Sequence, residues 1–425
     1  MKENFLHFIW ENKLFQTDTL WTQEGEPIQI IHPGRHNTHA GPDFFDARIR
    51  IGVTFWAGNV EIHLKASDWN RHGHQSDPSY RNTILHVVAL DDAEVMTDLG
   101  AVIPVFLIKW PEWIAHNYEL LTKSHDWIGC ASKLYQVDPF RIKFFLNGIL
   151  IERLVAKVEG VTKILEETKY DWNETFYILL ARGFGLTQNS LPFEMLIRSL
   201  PQRIIAHHIH SMFQLEALLF GQAGMLEDAL FLDEYVIELK KEYDFLALKY
   251  HLKPIAGHLW KFMRMHPMNF PTIRIAQFAS LLYLTQGLFS VVVDTANYSD
   301  LSHLFSLSAS EYWNTHYRFN VLSGYKRKVF GSQIFHLVVI NVLVPFYFLY
   351  GERQQQLFLK DRALEILENM PAEKNQWIRK WALAGVVASN ALESQALLQL
   401  QHSYCEKRRC LECTIGHKLV LHDPT

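Results

Sequence analysis

The chain has 425 residues, 48% apolar and 20% charged, with a formal net charge of −4. This is globular composition, with enough apolar residue for two or three cores, and it excludes a disordered chain. It also excludes tight nucleic-acid binding through net charge alone, though not through a local basic groove.

The N-terminal apolar run is broken by His7 and by Trp10-Glu11, which does not suit a secretory signal. The longest apolar stretch, Phe335 to Tyr350, is interrupted by His336, Asn341 and Pro345. A buried helix is expected there rather than a membrane span. A cytoplasmic protein is the expectation, so its four cysteines read as metal ligands or free thiols rather than disulfides.

In chain order, Phe5, Leu6, Phe8 and Ile9 suit a short amphipathic helix over residues 4–14. Pro27 to Ile31 is a candidate strand. Phe45 to Ile51 and Val60 to Lys65 alternate apolar and polar residues, which predicts strands with one buried and one polar face. Residues 67–82 are rich in Gly, Pro, Ser and His and read as a loop with at most a short helix. Thr83 to Leu90 is nearly all apolar, as in a central strand, and Ile103 to Ile108 is a further strand candidate.

Beyond residue 110 the period becomes helical. Asp138-Pro139 marks a helix start, and loops are expected at Arg182-Gly183-Phe184-Gly185, Asn269-Phe270-Pro271 and Tyr350-Gly351. The fold class is therefore α+β. A small mixed-sheet domain spans residues 1–115, and a large all-α domain spans 116–425.

Three groups carry chemistry. Asp43 precedes one strand, and Glu61, His63 and Lys65 share one face of the next. If the strands pair, Asp43 approaches Glu61, and two carboxylates can hold Mg²⁺ or Mn²⁺ beside a His or Lys that orients water. Secondly, His32, His36, His39, His63, His72, His74 and His86 crowd a stretch where an even spread would place about three. His72 and His74, with His63 or His86, form an alternative Zn²⁺ or Fe²⁺ site.

Thirdly, Cys405, Cys410 and Cys413 have metal-ligand spacing, with Cys130 and His417 as rival fourth ligands. An iron–sulfur cluster and zinc both remain open, and either would fasten the C-terminal segment. Arg264, His266, Asn269 and Arg274 flank a helix entrance and are read as a phosphate site or, with more weight, as helix struts. Lys407, Arg408 and Arg409 could touch a nucleic-acid backbone or be solvated surface.

The N-terminal part resembles the PD-(D/E)XK nuclease core through its order helix-strand-strand-strand-helix-strand, its Pro42-Asp43 pair and the following Glu61. That resemblance implies metal binding by Asp43 and Glu61, with Glu11 as the extra glutamate of some members. His63 stands where the family has lysine, and Lys65 lies two residues late. The cysteine pattern resembles the iron–sulfur staple of RecB-like nucleases.

The whole chain resembles an uncharacterised bacterial domain-of-unknown-function family. The residues that carry this are His39-Ala40-Gly41-Pro42-Asp43-Phe44, Gly58-Asn59-Val60-Glu61-Ile62-His63, Asp68-Trp69-Asn70-Arg71-His72-Gly73-His74, Phe270-Pro271-Thr272-Ile273-Arg274-Ile275-Ala276-Gln277 and the cysteine cluster. That resemblance implies that the two parts belong together and supplies no activity. The expected function is a metal-dependent phosphodiesterase acting on DNA or RNA. The alternatives are a non-catalytic nucleic-acid- or protein-binding module and a histidine-rich Zn/Fe enzyme. No membrane partner and no organic cofactor is expected.

Overall fold

The computed structural model describes residues 2–16, 20–227, 233–295 and 297–422. It forms two compact units, one of residues 1–145 with 400–425, the other of 146–399. The boundary expected at 115/116 therefore lies inside the first unit, and the C-terminal segment belongs there as well. Side-chain bonds hold that segment: Asn117 Nδ2 donates to the carbonyls of Val420 (3.3 Å) and His422 (2.9 Å).

In the first unit, helix α1 (Glu3–Glu11) precedes strands β1 (Ile28–His32), β2 (Arg35–His36), β3 (Phe44–Ile51) and β4 (Thr54–Lys65). A short helix α2 (Asp68–Arg71), strands β5 (Thr83–Leu90) and β6 (Val105–Leu107), and helix α3 (Glu112–Thr122) follow. The sheet order is β1-β3-β4-β5-β6, with β2 paired to β3. The first pairs are antiparallel, whereas β4–β5 and β5–β6 are parallel.

The β3–β4 hairpin turns at Gly52, whose φ of +58° suits a residue without Cβ. A bulge in β3 between Phe44 and Ala47 contains Asp46 at φ +59°. Such a bulge re-aims the residues beside it.

The parallel β4–β5 pair has the larger consequence. Two parallel neighbours need a long crossover, so residues 66–82 must pass over one face of the sheet. There Ala66, Trp69 and Tyr80 pack with Val88, Val95, Ile103 and Val105. Elsewhere in the unit, Phe5, Leu6, Phe8, Ile9 and Trp10 of α1 are buried, and Trp10 meets Phe106.

The second unit is largely helical. The expectation of an all-α region is corrected by a two-stranded ribbon, His316–Arg318 with Val321–Leu322. Its longest apolar helix runs Ser332–Arg353 with a π turn over Val339–Leu343, and 72% of its most apolar window is buried. Tyr350-Gly351, expected as a loop, lies inside this helix, because Gly351 allows the close approach of Leu359 and the Gln356 carbonyl. Arg182 to Phe184 likewise ends the helix Trp172–Phe184.

Arg274 is a strut: it is buried, it donates to Gln277 Oε1 (2.7 Å) and Asn269 Oδ1 (2.5 Å), and it lies over Phe330. Glu216 is fully buried and accepts from Tyr235, from Ser310 Oγ (2.9 Å) and from Trp313 Nε1 (3.1 Å).

Candidate metal centre

Period two along β4 puts Phe55, Ala57, Asn59, Glu61 and His63 on one face. The sequence pattern predicts a polar face. On it Glu61 is 4% exposed and His63 1% exposed, because the crossover covers them. Burying a carboxyl and an imidazole is costly unless each finds partners, and the partners come from four elements.

Asp43, just before β3, and Glu61 hold each other through the backbone. The Asp43 N–H donates to Glu61 Oε2 (3.0 Å), and the Ile62 N–H donates to Asp43 Oδ2 (2.9 Å). The other Glu61 oxygen, Oε1, lies 3.2 Å from His74 Nε2 and 3.4 Å from His63 Nε2. His63 Nε2 is also 3.1 Å from His72 Nδ1, and its Nδ1 is 2.8 Å from His86 Nε2. Ring nitrogens of His63, His72 and His74 all lie within 4.8 Å of one another. Between His72 and His74, Gly73 at φ +81° reverses the chain so that both rings reach His63.

From α1, one helical turn apart, Glu3 Oε1 stands 4.0 Å from His63 Nε2, and His7 Nε2 stands 3.3 Å from Asp43 Oδ2. Tyr80 stacks on His74 at 3.9 Å, and Trp69 meets both residues edge-on.

Burial raises the Glu61 carboxyl to about 7, helped by the Asp43 charge and opposed by the His74 hydrogen bond. Burial and the charges of His86, His74 and His72 lower His63 to about 2, and burial lowers His86 to about 3. His7 moves the other way: burial lowers it, but the bond to Asp43 and the nearby carboxylates outweigh that. A neutral His63 imidazole is the protonation state that metal ligation requires. Three imidazoles and one carboxylate suit Mn²⁺, Zn²⁺ or Fe²⁺ better than Mg²⁺, which prefers oxygen.

Six of the expected residues thus come together: Asp43, Glu61, His63, His72 and His74, with His86 behind His63. Lys65 does not join them. It is exposed at the end of β4, where its charge acts on Asp92. Glu11 is exposed near His417, two turns along α1 from Glu3, so the glutamate of that helix in the cluster is Glu3. Sequence reasoning missed Glu3, His7 and Tyr80. The spacing of Glu3 and His7 on one helix was the available signal, while nothing local to Tyr80 marked it.

Cys130, Cys405, Cys410 and Cys413 all lie in the first unit as free thiols. His417 turns away from them, with Nε2 3.4 Å from Asn12 Oδ1 and its ring against Phe8. Two of the three basic residues of the cysteine loop are engaged within the protein, and Lys407 is exposed. Arg408 Nη2 donates to the Ser124 carbonyl (2.8 Å), and Arg409 pairs with Glu412 and lies over Tyr404.

A family model described as "Protein of unknown function (DUF2851)" matches residues 3–376. The matched span contains the whole carboxylate–histidine cluster and Cys130, and it ends before Cys405. No curated protein and no solved structure matches the chain.

Proposed function

The chain belongs to the DUF2851 family, proteins of unknown function, and from that premise we propose that it is a transition-metal-dependent phosphodiesterase acting on nucleic acid. One observation carries the proposal: the Asp43–Glu61 pair meets the buried His63 together with His72 and His74 of the β4–β5 crossover. Glu61, His63, His72 and His74 would hold the ion, with Asp43 beside them. A bound divalent ion supplies Lewis acidity and lowers the pKa of a water. Among the chain's own groups, His86 holds the His63 ring in place. His7, raised by Asp43, is the group able to give a proton to a leaving oxygen.

The substrate class is supported by what lies farther along the same face. Arg48 pairs across from Ala57 and Arg50 from Phe55, so both arginines share the face of Glu61 and His63. A cavity of about 680 Å³ there is lined by His32, Arg35, Asp46, Arg48 and Asn82. Arg35 is paired to Asp46, whereas Arg48 is exposed and has no ion pair among the described residues. A phosphate backbone would find a cation beside the cluster despite the chain's net negative charge. The helix, antiparallel hairpin, crossover and parallel strand also follow the order of the PD-(D/E)XK core.

Purified protein should cleave labelled single- or double-stranded DNA or RNA when Mn²⁺ is added. Cleavage that survives both Glu61→Gln and Asp43→Asn, or no cleavage with Mn²⁺, Zn²⁺, Fe²⁺ or Mg²⁺, would sink the proposal. A second reading, binding without catalysis, draws on the exposure of Lys65, which leaves the cluster without a lysine. Retention of nucleic acid without turnover in the same assay selects it.

A further inference from the structure

The cysteines occupy two stretches of the first unit that are far apart in sequence. Cys130 precedes the short helical segment Ala131–Gln136, Cys405 ends the π turn Gln401–Cys405, and Cys410 and Cys413 lie in the turn before the helix Thr414–Val420. The two stretches are packed together. Arg408 Nη2 donates to the carbonyls of Ser124 (2.8 Å) and Asp126 (3.1 Å). A Cβ on Gly129 would fall 2.0 Å from the Leu121 carbonyl oxygen and 2.9 Å from Arg408 Nη1, and one on Gly416 would fall 2.1 Å from the Cys410 carbonyl oxygen. Both glycines are therefore required by close approach.

Cys130 lies within electrostatic range of Cys410 and Cys413, and Cys405 within range of all three others. No cysteine is disulfide-bonded. Four thiols thus share one neighbourhood, brought together from both ends of a chain excursion that contains the whole second unit.

The spacing of the sulfurs discriminates between the metals. Around one zinc ion, bonds of about 2.3 Å in a tetrahedron put sulfurs about 3.8 Å apart. Among the described residues, however, the one set of three or more such donors lying within 4.8 Å of one another is His63, His72 and His74. No three of the four cysteine sulfurs therefore all lie within 4.8 Å of one another, a wider spread than the tetrahedron around one zinc ion. A four-iron cluster has this requirement, because each thiolate binds a different iron.

The surroundings agree. Cys413 Sγ accepts the N–H groups of Ile415 and Gly416, the type of bond that tunes a cluster. Arg408 Nη1 is buried without a hydrogen-bond partner among the described residues, and its charge acts on Cys130, Cys405 and Cys410. A buried donor left unpaired is costly, and an anionic cluster bounded by those three cysteines would engage it.

We propose that Cys130, Cys405, Cys410 and Cys413 bind a four-iron, four-sulfide cluster that fastens residues 400–422 to the first unit. It closes the loop between Cys130 and Cys405, and cross-links across long loops restrict the unfolded chain most. His417 is not a ligand: it faces Asn12 and Phe8.

The test is anaerobic purification of the full chain from iron-supplemented cells. The expected product is brown, with about four irons and four acid-labile sulfides per chain and little zinc. His417→Ala should keep that content, and Cys130→Ser should lose most of it. Because Cys130→Ser could fail to fold, the wild-type protein is also stripped of iron and reconstituted in parallel with iron plus sulfide and with zinc alone. Only the first mixture should restore the colour and the resistance of the C-terminal segment to protease. A colourless protein with one zinc, a two-iron centre, or a stripped chain that takes up no iron and sulfide would overturn the proposal. Iron lost from His417→Ala but kept in Cys130→Ser would overturn the ligand assignment.

Discussion

Glu61 in the first unit and Glu216 in the second are both buried carboxyls that desolvation raises to about 7. Their surroundings differ in kind. Glu216 accepts from three neutral donors, Tyr235, Ser310 and Trp313, which satisfy it without another charge. Glu61 has a second carboxylate and two histidines as neighbours, groups that can themselves bind a cation. A raised carboxyl therefore reports burial, and the type of neighbour separates a closed structural network from a site with chemistry to perform.

The comparison is tested most strongly by removing the carboxylates of the first unit. Glu61→Gln and Asp43→Asn should each reduce Mn²⁺-dependent cleavage by about 100-fold or more, with thermal stability little changed. Unchanged cleavage together with a large fall in melting temperature would make Glu61 a structural group like Glu216. In the second unit, Glu216→Ala should destabilise the protein by about 3 kcal/mol, because three buried donors lose their acceptor. Chemical denaturation measures that loss, and cleavage per folded molecule should be unaffected.

The same residue gives a signed pH dependence. The folded-state pKa of Glu216 is raised, so the stability it contributes is fully present below about 4.5 and is lost as pH rises through about 7. Glu216→Gln removes this dependence. Between pH 4 and pH 8 its stability relative to wild type should improve by about 3 kcal/mol. A flat difference across that range would show that Glu216 does not titrate there.

Smaller effects are expected outside the cluster. Arg48→Ala should weaken nucleic-acid binding several-fold and reduce the magnitude of the salt-dependence slope by about 1, as for loss of one phosphate contact. Binding titrations at several salt concentrations measure both. Lys65→Ala should change cleavage by less than about twofold, since the side chain is exposed. A large loss would return Lys65 to the lysine role of the nuclease core and displace His63 from it.

Local pattern sufficed for much of the first unit. Alternation marked β3 and the end of β4, the apolar run marked β5, and Asp138 caps the helix Pro139–Glu167 by accepting from the Phe140 N–H at 2.9 Å. Asp43 and Glu61 were legible because a hairpin brings neighbouring strands together, and His72 and His74 because two histidines flank a glycine. The first half of β4 was missed, since Thr54 to Gly58 has no clean alternation. The β ribbon at His316–Leu322 was missed because its strands are too short to show a period.

What the sequence by itself determined is the set of elements and the kinds of donor available, because hydrophobic period, turn chemistry and side-chain type are properties of neighbouring residues. Tertiary structure decided which donors meet. The parallel β4–β5 pairing requires a crossover, and that crossover buries Glu61 and His63 beneath His72, His74 and Tyr80. Packing of α1 selected Glu3 and His7 over Glu11, and docking of the C-terminal segment brought Cys405, Cys410 and Cys413 near Cys130 and turned His417 away. These are contacts between residues up to several hundred positions apart. They depend on which buried faces find each other, and no local pattern encodes that.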